Sequence, residues 1–178
     1  MPSRIIRHIY TFIAAGRLAY QKGYDIIIER MSEMKSNLNF NLLILGSGEL
    51  ENDLKQLVIS KGLSDYVRFI GYRKNVSSYI RYADALLLSS RYEGFPNIVL
   101  EANSLGKHVF SNSCKGGINE IIINGSNGLA CDFTNKEDFQ NGLHEFLGTK
   151  FDESKIVELT SSRYSIETII KKYINFFS

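Results

Sequence analysis

Two carboxylates and a Gly-Phe-Pro-Asn turn stand close together in RYEGFPNIVLEANSLGKH, residues 91–108, where Glu93 and Glu101 lie eight positions apart. A carboxylate offers two acceptor oxygens, which suits the paired hydroxyls of a vicinal diol. If Pro96 or Asn97 starts a helix, Asn97 and Glu101 fall one turn apart on the same face while Glu93 stays in the preceding loop. Glu101 is then suited to a ribose and Glu93 to the hydroxyls of a sugar. Gly94 lets backbone amides of the turn, which also carries Phe95 and Pro96, approach the same ligand. The plain alternative makes Glu101 a solvated helix residue and Glu93 a partner of the helix dipole.

A second group carries positive charge. In GRLAYQKG, residues 16–23, Gly16 closes an apolar run, Arg17 and Lys22 follow within six residues, and Gly23 precedes a helical segment. Two cations beside a helix N-terminus suit a diphosphate, because Arg presents a planar fork and Lys a movable point charge. Solvated surface charges are the competing reading. GSGEL, residues 46–50, resembles the front of a Gly-rich phosphate loop but lacks the third glycine, and Glu49 would repel a phosphate. Gly46 and Gly48 still permit close approach of a ligand. In GYRKN, Arg73 and Lys74 can edge a nucleotide base or simply be exposed.

These residues need positioning elements, and the hydrophobic pattern supplies them. HIYTFIAAG, NLLILGSG, VRFIGY, DALLLSS, HVFSN and GLAC are short apolar runs mostly closed by Gly, Ser or Asn, as buried strands should be. Between them lie helical stripes: Ile27, Met31 and Met34, then Leu50, Leu54, Leu57 and Val58. Asn75 is placed to cap a short helix through Tyr82. TNKE at 134–137 reads as a capping box with Thr134 as N-cap and Glu137 at the third helical position. Ile166, Ile170, Tyr173, Ile174 and Phe177 form one stripe of a helix over 165–178, and partial exposure of Tyr173, Ile174 or Phe177 is expected.

This alternation predicts an α/β fold, a single Rossmann-like doubly wound parallel sheet of about six strands with helices on both faces. Ligands in such sheets bind outside the carboxyl ends of the strands, so GRLAYQKG, GSGEL, GYRKN, SSRYEGFPN and SNSCKGG share one rim. No internal repeat, low-complexity tract or linker divides the 178 residues, so one domain over 1–178 is expected. With 21 Lys+Arg against 19 Asp+Glu, the net charge of +2 gives no broad field to attract nucleic acid. Cys114 and Cys131 have neither metal nor redox spacing and are expected to be core residues in a reducing cytoplasm. The start, MPSRIIRHIY, lacks the apolar core of a signal peptide.

In this order and at these separations, GRLAYQKG, LLILGSGELENDL, VRFIGY, YADALLLSSRYEGFPNIVLEA and GGINEIIINGSNGLAC resemble the donor-binding half of the retaining GT-B glycosyltransferases of group 1. The resemblance runs from about His8 to about Leu147, and its most specific feature is the pair of glutamates with seven residues between them. It implies that Arg17 and Lys22 bind the diphosphate of a sugar nucleotide, Glu93 contacts the transferred sugar, and Glu101 holds the ribose hydroxyls. It also implies retention at the anomeric carbon, and polysaccharide or glycoconjugate biosynthesis. His108 departs from a position often proline in the family, and a packing consequence alone is expected. The family's acceptor-binding N-terminal domain, which supplies a histidine in many members, is absent from this chain, and His8, His108 and His144 match no such residue.

The resulting expectations are specific. Arg17, Lys22 and Glu93 are the catalytic candidates; Gly16, Gly46, Arg73, Gly94, Phe95, Pro96, Asn97 and Glu101 complete the substrate-binding set. No cofactor or metal is expected, since Asp-x-Asp does not occur, and the nucleotide sugar is a substrate. The expected partners are a nucleoside-diphosphate sugar and, through the missing domain or a partner chain, a glycan or glycolipid acceptor, with peripheral membrane association in the full enzyme. Three rivals remain. A non-catalytic donor-binding subunit would need another chain to complete its cleft. A dinucleotide-binding oxidoreductase domain requires the GxGxxG that GSGELE matches poorly, and a receiver-like interaction domain requires an acidic cluster where Arg17 stands.

Overall fold

A computed structural model of the chain describes residues 9–37 and 40–177. The elements run β1 (Tyr10–Ala15), α1 (Tyr24–Glu33), β2 (Phe40–Leu45), α2 (Glu51–Ser60), β3 (Val67–Gly71), α3 (Val76–Tyr82), β4 (Ala85–Leu88) and β5 (Tyr92–Glu93). They continue with α4 (Asn97–Ser104), β6 (Val109–Asn112), β7 (Lys115–Gly116), α5 (Ile118–Ile121), β8 (Gly128–Cys131), α6 (Lys136–Gly148), α7 (Glu153–Tyr164) and α8 (Ile166–Phe177). Each of the six apolar runs contains a strand. These pair in parallel in the order β3-β2-β1-β4-β6-β8. The chain winds outward from β1 in one direction and from β4 in the other, so the crevice lies beyond the carboxyl ends of these two strands.

Side-chain alternation sorts the core into two layers. Phe12 and Ala14 face one side of β1 and Ile13 the other, all buried. On the first side Phe12, Phe40, Phe110, Phe133, Phe139 and Phe146 pack with Ile27 and Met31 of α1 and Leu54 and Val58 of α2. On the second, Ile13, Leu86, Leu88 and Val109 meet Ile80 of α3, Val99 and Ala102 of α4, and Ile118 and Ile121 of α5. Covered on both faces, β4 reads as the unbroken buried run ALLL. Cys114 and Cys131 are buried free thiols.

α3 spans Val76–Tyr82 with Asn75 at its N-cap, but without a side-chain capping bond. Pro96 precedes α4 at its N-cap. The capping box at 134–137 is corrected: Asn135 is the N-cap of α6, its side chain accepting from the Asp138 amide. Thr134 instead donates its hydroxyl to Asp132, which also accepts the Thr134 amide, closing a local turn one residue early. In α8, Tyr173 and Ile174 are exposed. The side chain of Phe177, and the N-terminal stretch through His8, lie outside the described residues.

His108 is a packed residue at the N-terminal edge of the sheet. Its ring stacks on Phe151, with centroids 4.2 Å apart, and Nε2 lies 2.6 Å from the Tyr10 hydroxyl. Burial first, and the neighbouring Lys107 charge second, push its pKa down to about 4. From an ordinary value of about 6.5 down to about 4 the unfolded chain takes up a proton that the folded chain refuses. Stability therefore falls as pH falls through that window, by about 2 kcal/mol after allowance for partial exposure. Urea melts at pH 7 and pH 4.5 should show this slope flattened in His108→Asn; an unchanged slope would remove the imidazole as its source.

Candidate functional site

The loops after β1 and β2 are laced together. The Gly16 amide donates to the Leu45 carbonyl, the Leu18 amide to Ser47, and the Leu50 amide back to Leu18, each at 3.0 Å. Leu18 is buried and anchors the first loop. Above them opens a cleft of about 490 Å³ whose wall includes Gly16, Arg17, Gly46, Gly48, Tyr72 and Arg73, over a floor of Leu45 and Val76. Its size lies in the range of small-molecule sites. Arg17 is exposed at its edge, Nε 3.2 Å from a Glu49 carboxylate oxygen. Arg73 turns back on its own loop, donating to the Tyr79 hydroxyl at 3.1 Å and the Tyr72 carbonyl at 3.0 Å.

The second half of the site lies at the ends of β1 and β4. Lys22 Nζ donates to Glu93 Oε1 at 2.6 Å, and the Ser90 hydroxyl donates to the same oxygen at 2.6 Å. Glu93 is 8% exposed and the Lys22 side chain 20%, so the pair is largely removed from water. The Ser89 hydroxyl holds the Lys22 carbonyl at 2.8 Å, and Asn112 Nδ2 donates to the Ser90 carbonyl at 2.9 Å while its Oδ1 accepts from the Phe133 amide. This network fixes the strand ends under the pair. β5 and β7 add a small parallel pairing, Tyr92 with Lys115 and Glu93 with Gly116. A Cβ on Gly116 would stand 1.5 Å from the Glu93 carbonyl oxygen, so only glycine permits this approach. Burial, and then the Glu93 charge, raise both the Tyr24 phenol and the Cys114 thiol above their ordinary values, which keeps both groups protonated.

Of the residues singled out in sequence, Gly16, Arg17, Gly46 and Arg73 line the cleft, and Lys22 and Glu93 meet directly. Asn97 and Glu101 share an exposed face of α4, opposite the buried Val99 and Asn103. Gly94 and Phe95 are exposed and Pro96 is buried; the Phe95 ring sits edge-on to Tyr164 at 6.1 Å rather than in the cleft. Sequence reasoning missed Ser89, Ser90, Asn112 and Tyr72. The Ser-Ser pair closing DALLLSS was the available signal, since paired hydroxyls at the end of a buried strand need partners.

The group 1 glycosyl transferase family model matches residues 7–159. The chain belongs to this family. An uncharacterised glycosyltransferase of Haemophilus influenzae is 30% identical over 92% of this chain and 47% of its own length. Among solved structures, the apo form of the lipopolysaccharide outer core galactosyltransferase WaaB superposes with a TM-score of 0.85 at 25% identity, covering 98% of this chain and 50% of that one. Anabaena Alr3699/HepE in complex with UDP-glucose has the same fold, with a TM-score of 0.77 at 21% identity over 94% of this chain and 48% of its own. This group 1 glycosyltransferase chain thus spans about half the length of the relatives it matches. Its α/β sheet corresponds to one Rossmann-like half of a GT-B fold. Among the described residues, no helix is long and apolar enough to cross a membrane.

Proposed function

We propose that this chain is the donor-binding domain of a retaining glycosyltransferase that takes a nucleoside-diphosphate sugar and works in polysaccharide or glycoconjugate biosynthesis at the cytoplasmic side of a membrane. The observation that carries the reading is the meeting of Lys22 and Glu93 at the carboxyl ends of β1 and β4, beside a cleft edged by Arg17. The base lies toward Tyr72 and Arg73, the ribose on Glu101, the diphosphate between Arg17 and Lys22, and the sugar at Glu93. Most of the acceptor site is assigned to polypeptide outside these residues.

Transfer forms a bond between an acceptor hydroxyl oxygen and the anomeric carbon as the sugar–phosphate bond breaks. The electron pair stays on the leaving phosphate oxygen, and that phosphate takes the acceptor's proton. Charge grows on the phosphate toward the transition state, so Arg17 and Lys22 stabilise the transition state more than the bound donor. Protein cations then serve without a divalent ion.

Each cation is held by a carboxylate, Arg17 by Glu49 and Lys22 by Glu93. A diphosphate must replace these contacts. Glu49 is the closer to solvent and its charge opposes the ligand, so Glu49→Gln should tighten nucleoside diphosphate by about two- to fivefold, the scale of one exposed charge pair. Nucleoside affinity should not change. Equal tightening of both ligands would show that the substitution acts on something other than phosphate charge.

The reading is tested by calorimetric titration with UDP, GDP and ADP and their sugars, with and without EDTA. Glu101→Ala should weaken the preferred diphosphate by about 1.5 to 3 kcal/mol, and the 2′-deoxy ligand less, because a charged acceptor loses its hydroxyl partner. Glu93→Ala should spare the bare nucleotide and weaken the sugar nucleotide. Absence of binding to every diphosphate would end the proposal.

A further inference from the structure

Residues 20–22 and 91–93 are clasped position by position. At the inner end lies the Lys22–Glu93 pair. In the middle, Gln21 accepts the Arg91 amide on its carbonyl at 2.8 Å, and its side chain donates to the Tyr92 carbonyl at 3.1 Å. At the outer end the Arg91 guanidinium carbon sits 4.0 Å from the centre of the Tyr20 ring. That guanidinium is fixed in turn by both oxygens of Asp25, at 2.8 and 2.5 Å, and by the Tyr20 carbonyl at 2.8 Å. One face of Tyr20 is therefore backed by a fixed cation. Yet the residue remains 65% exposed, so the rest of the ring faces solvent.

A solvated surface tyrosine needs no support, whereas a supported ring offers a rigid apolar surface at low cost in conformational entropy. The hydrogens on one face of a pyranose form an apolar patch with slight positive charge, which matches the negative face of an aromatic ring. Tyr20 does not line the cleft assigned to the donor, and it is exposed where Glu93, two positions beyond its partner Arg91, is buried. We propose that the outward face of Tyr20, backed by Arg91 and Asp25, is a stacking platform for a pyranose ring of the acceptor glycan. The clasp ties it, two residues from Lys22, to the segment that ends on Glu93, so a sugar seated there rests on the same pair of segments that carries the Lys22–Glu93 pair. The inference rests on the glycosyl-transfer reading, and the test separates the two.

Saturation-transfer NMR of the chain with millimolar methyl α-galactoside, α-glucoside, α-mannoside and N-acetyl-β-glucosaminide, in the presence of UDP, GDP or ADP, reads the contact directly. At least one glycoside should receive saturation at its C–H face. Tyr20→Ala should reduce that signal by about fivefold, the scale of one aromatic stacking contact, and Tyr20→Phe should keep more than half of it. Diphosphate affinity should stay within twofold in both variants, which also reports that they fold. No contact with any glycoside in the wild type, or equal contact in Tyr20→Ala, overturns the platform while leaving the donor site standing. Loss of every diphosphate signal in the wild type would instead bring down the glycosyl-transfer reading itself.

Discussion

Lys22→Ala should produce two separate losses, one in ligand binding and one in folding. Removal of the ammonium takes a charged hydrogen-bond donor from the diphosphate, so affinity should fall by about ten- to a hundredfold, with little change for the nucleoside. It also leaves Glu93, 8% exposed, with Ser90 as its remaining polar side-chain partner. A buried carboxylate that loses its counter-charge costs about 3 kcal/mol or more. Adding Glu93→Ala removes the stranded charge, so the double variant should recover most of the stability and none of the diphosphate affinity. Urea melts and titrations on the two single variants and the double variant check this. If the double variant is no more stable than Lys22→Ala, the pair is not coupled as its 2.6 Å contact implies.

Gly46→Ala should be among the most damaging single substitutions in the chain. Its φ is +146°, and a Cβ there would lie 1.8 Å from the Gly16 carbonyl oxygen, inside the backbone of the neighbouring loop. Nothing flexible can yield, so β1 and β2 must part at the floor of the cleft, at a cost of about 3 kcal/mol or more. Gly125 is the matched control: its φ is +78°, but nothing lies within 4 Å of an added Cβ. Gly125→Ala should cost only the conformational strain, about 1 kcal/mol. Denaturation midpoints should separate the two clearly. Comparable losses would mean that backbone strain, not the contact with Gly16, governs the position.

These two cases mark where the sequence is legible and where it is not. The apolar runs identify the six central strands because a strand covered on both faces must be apolar throughout, and β4 is the clearest instance. The rim follows from the alternation of strands and helices, which put Arg17, Lys22 and Glu93 at strand ends. The β5–β7 pairing escaped notice because two-residue strands have no period, and their partner lies more than 20 positions away. α7 was also missed: its stripe is weak and most of its residues are exposed. At 134–137 Thr and Asn compete as caps, and the turn that Asp132 makes with Thr134 decides the contest. The ion pairing of the site is equally hidden in the sequence. The sequence marks Glu49 as a residue that would repel a phosphate, whereas its contact with Arg17 depends on two loops laced together in space.

The most direct test of the donor-site account is titration of the wild-type chain, Arg17→Ala and Lys22→Ala with uridine, UMP and UDP, and with the guanosine and adenosine series, in EDTA. The account predicts that for one base the wild type binds more tightly with each added phosphate. Both substitutions should remove most of that gain and leave the nucleoside nearly unchanged, since fixed cations answer to phosphate charge. Affinity that is independent of phosphate number, or that falls equally for nucleoside and diphosphate in both variants, would contradict it.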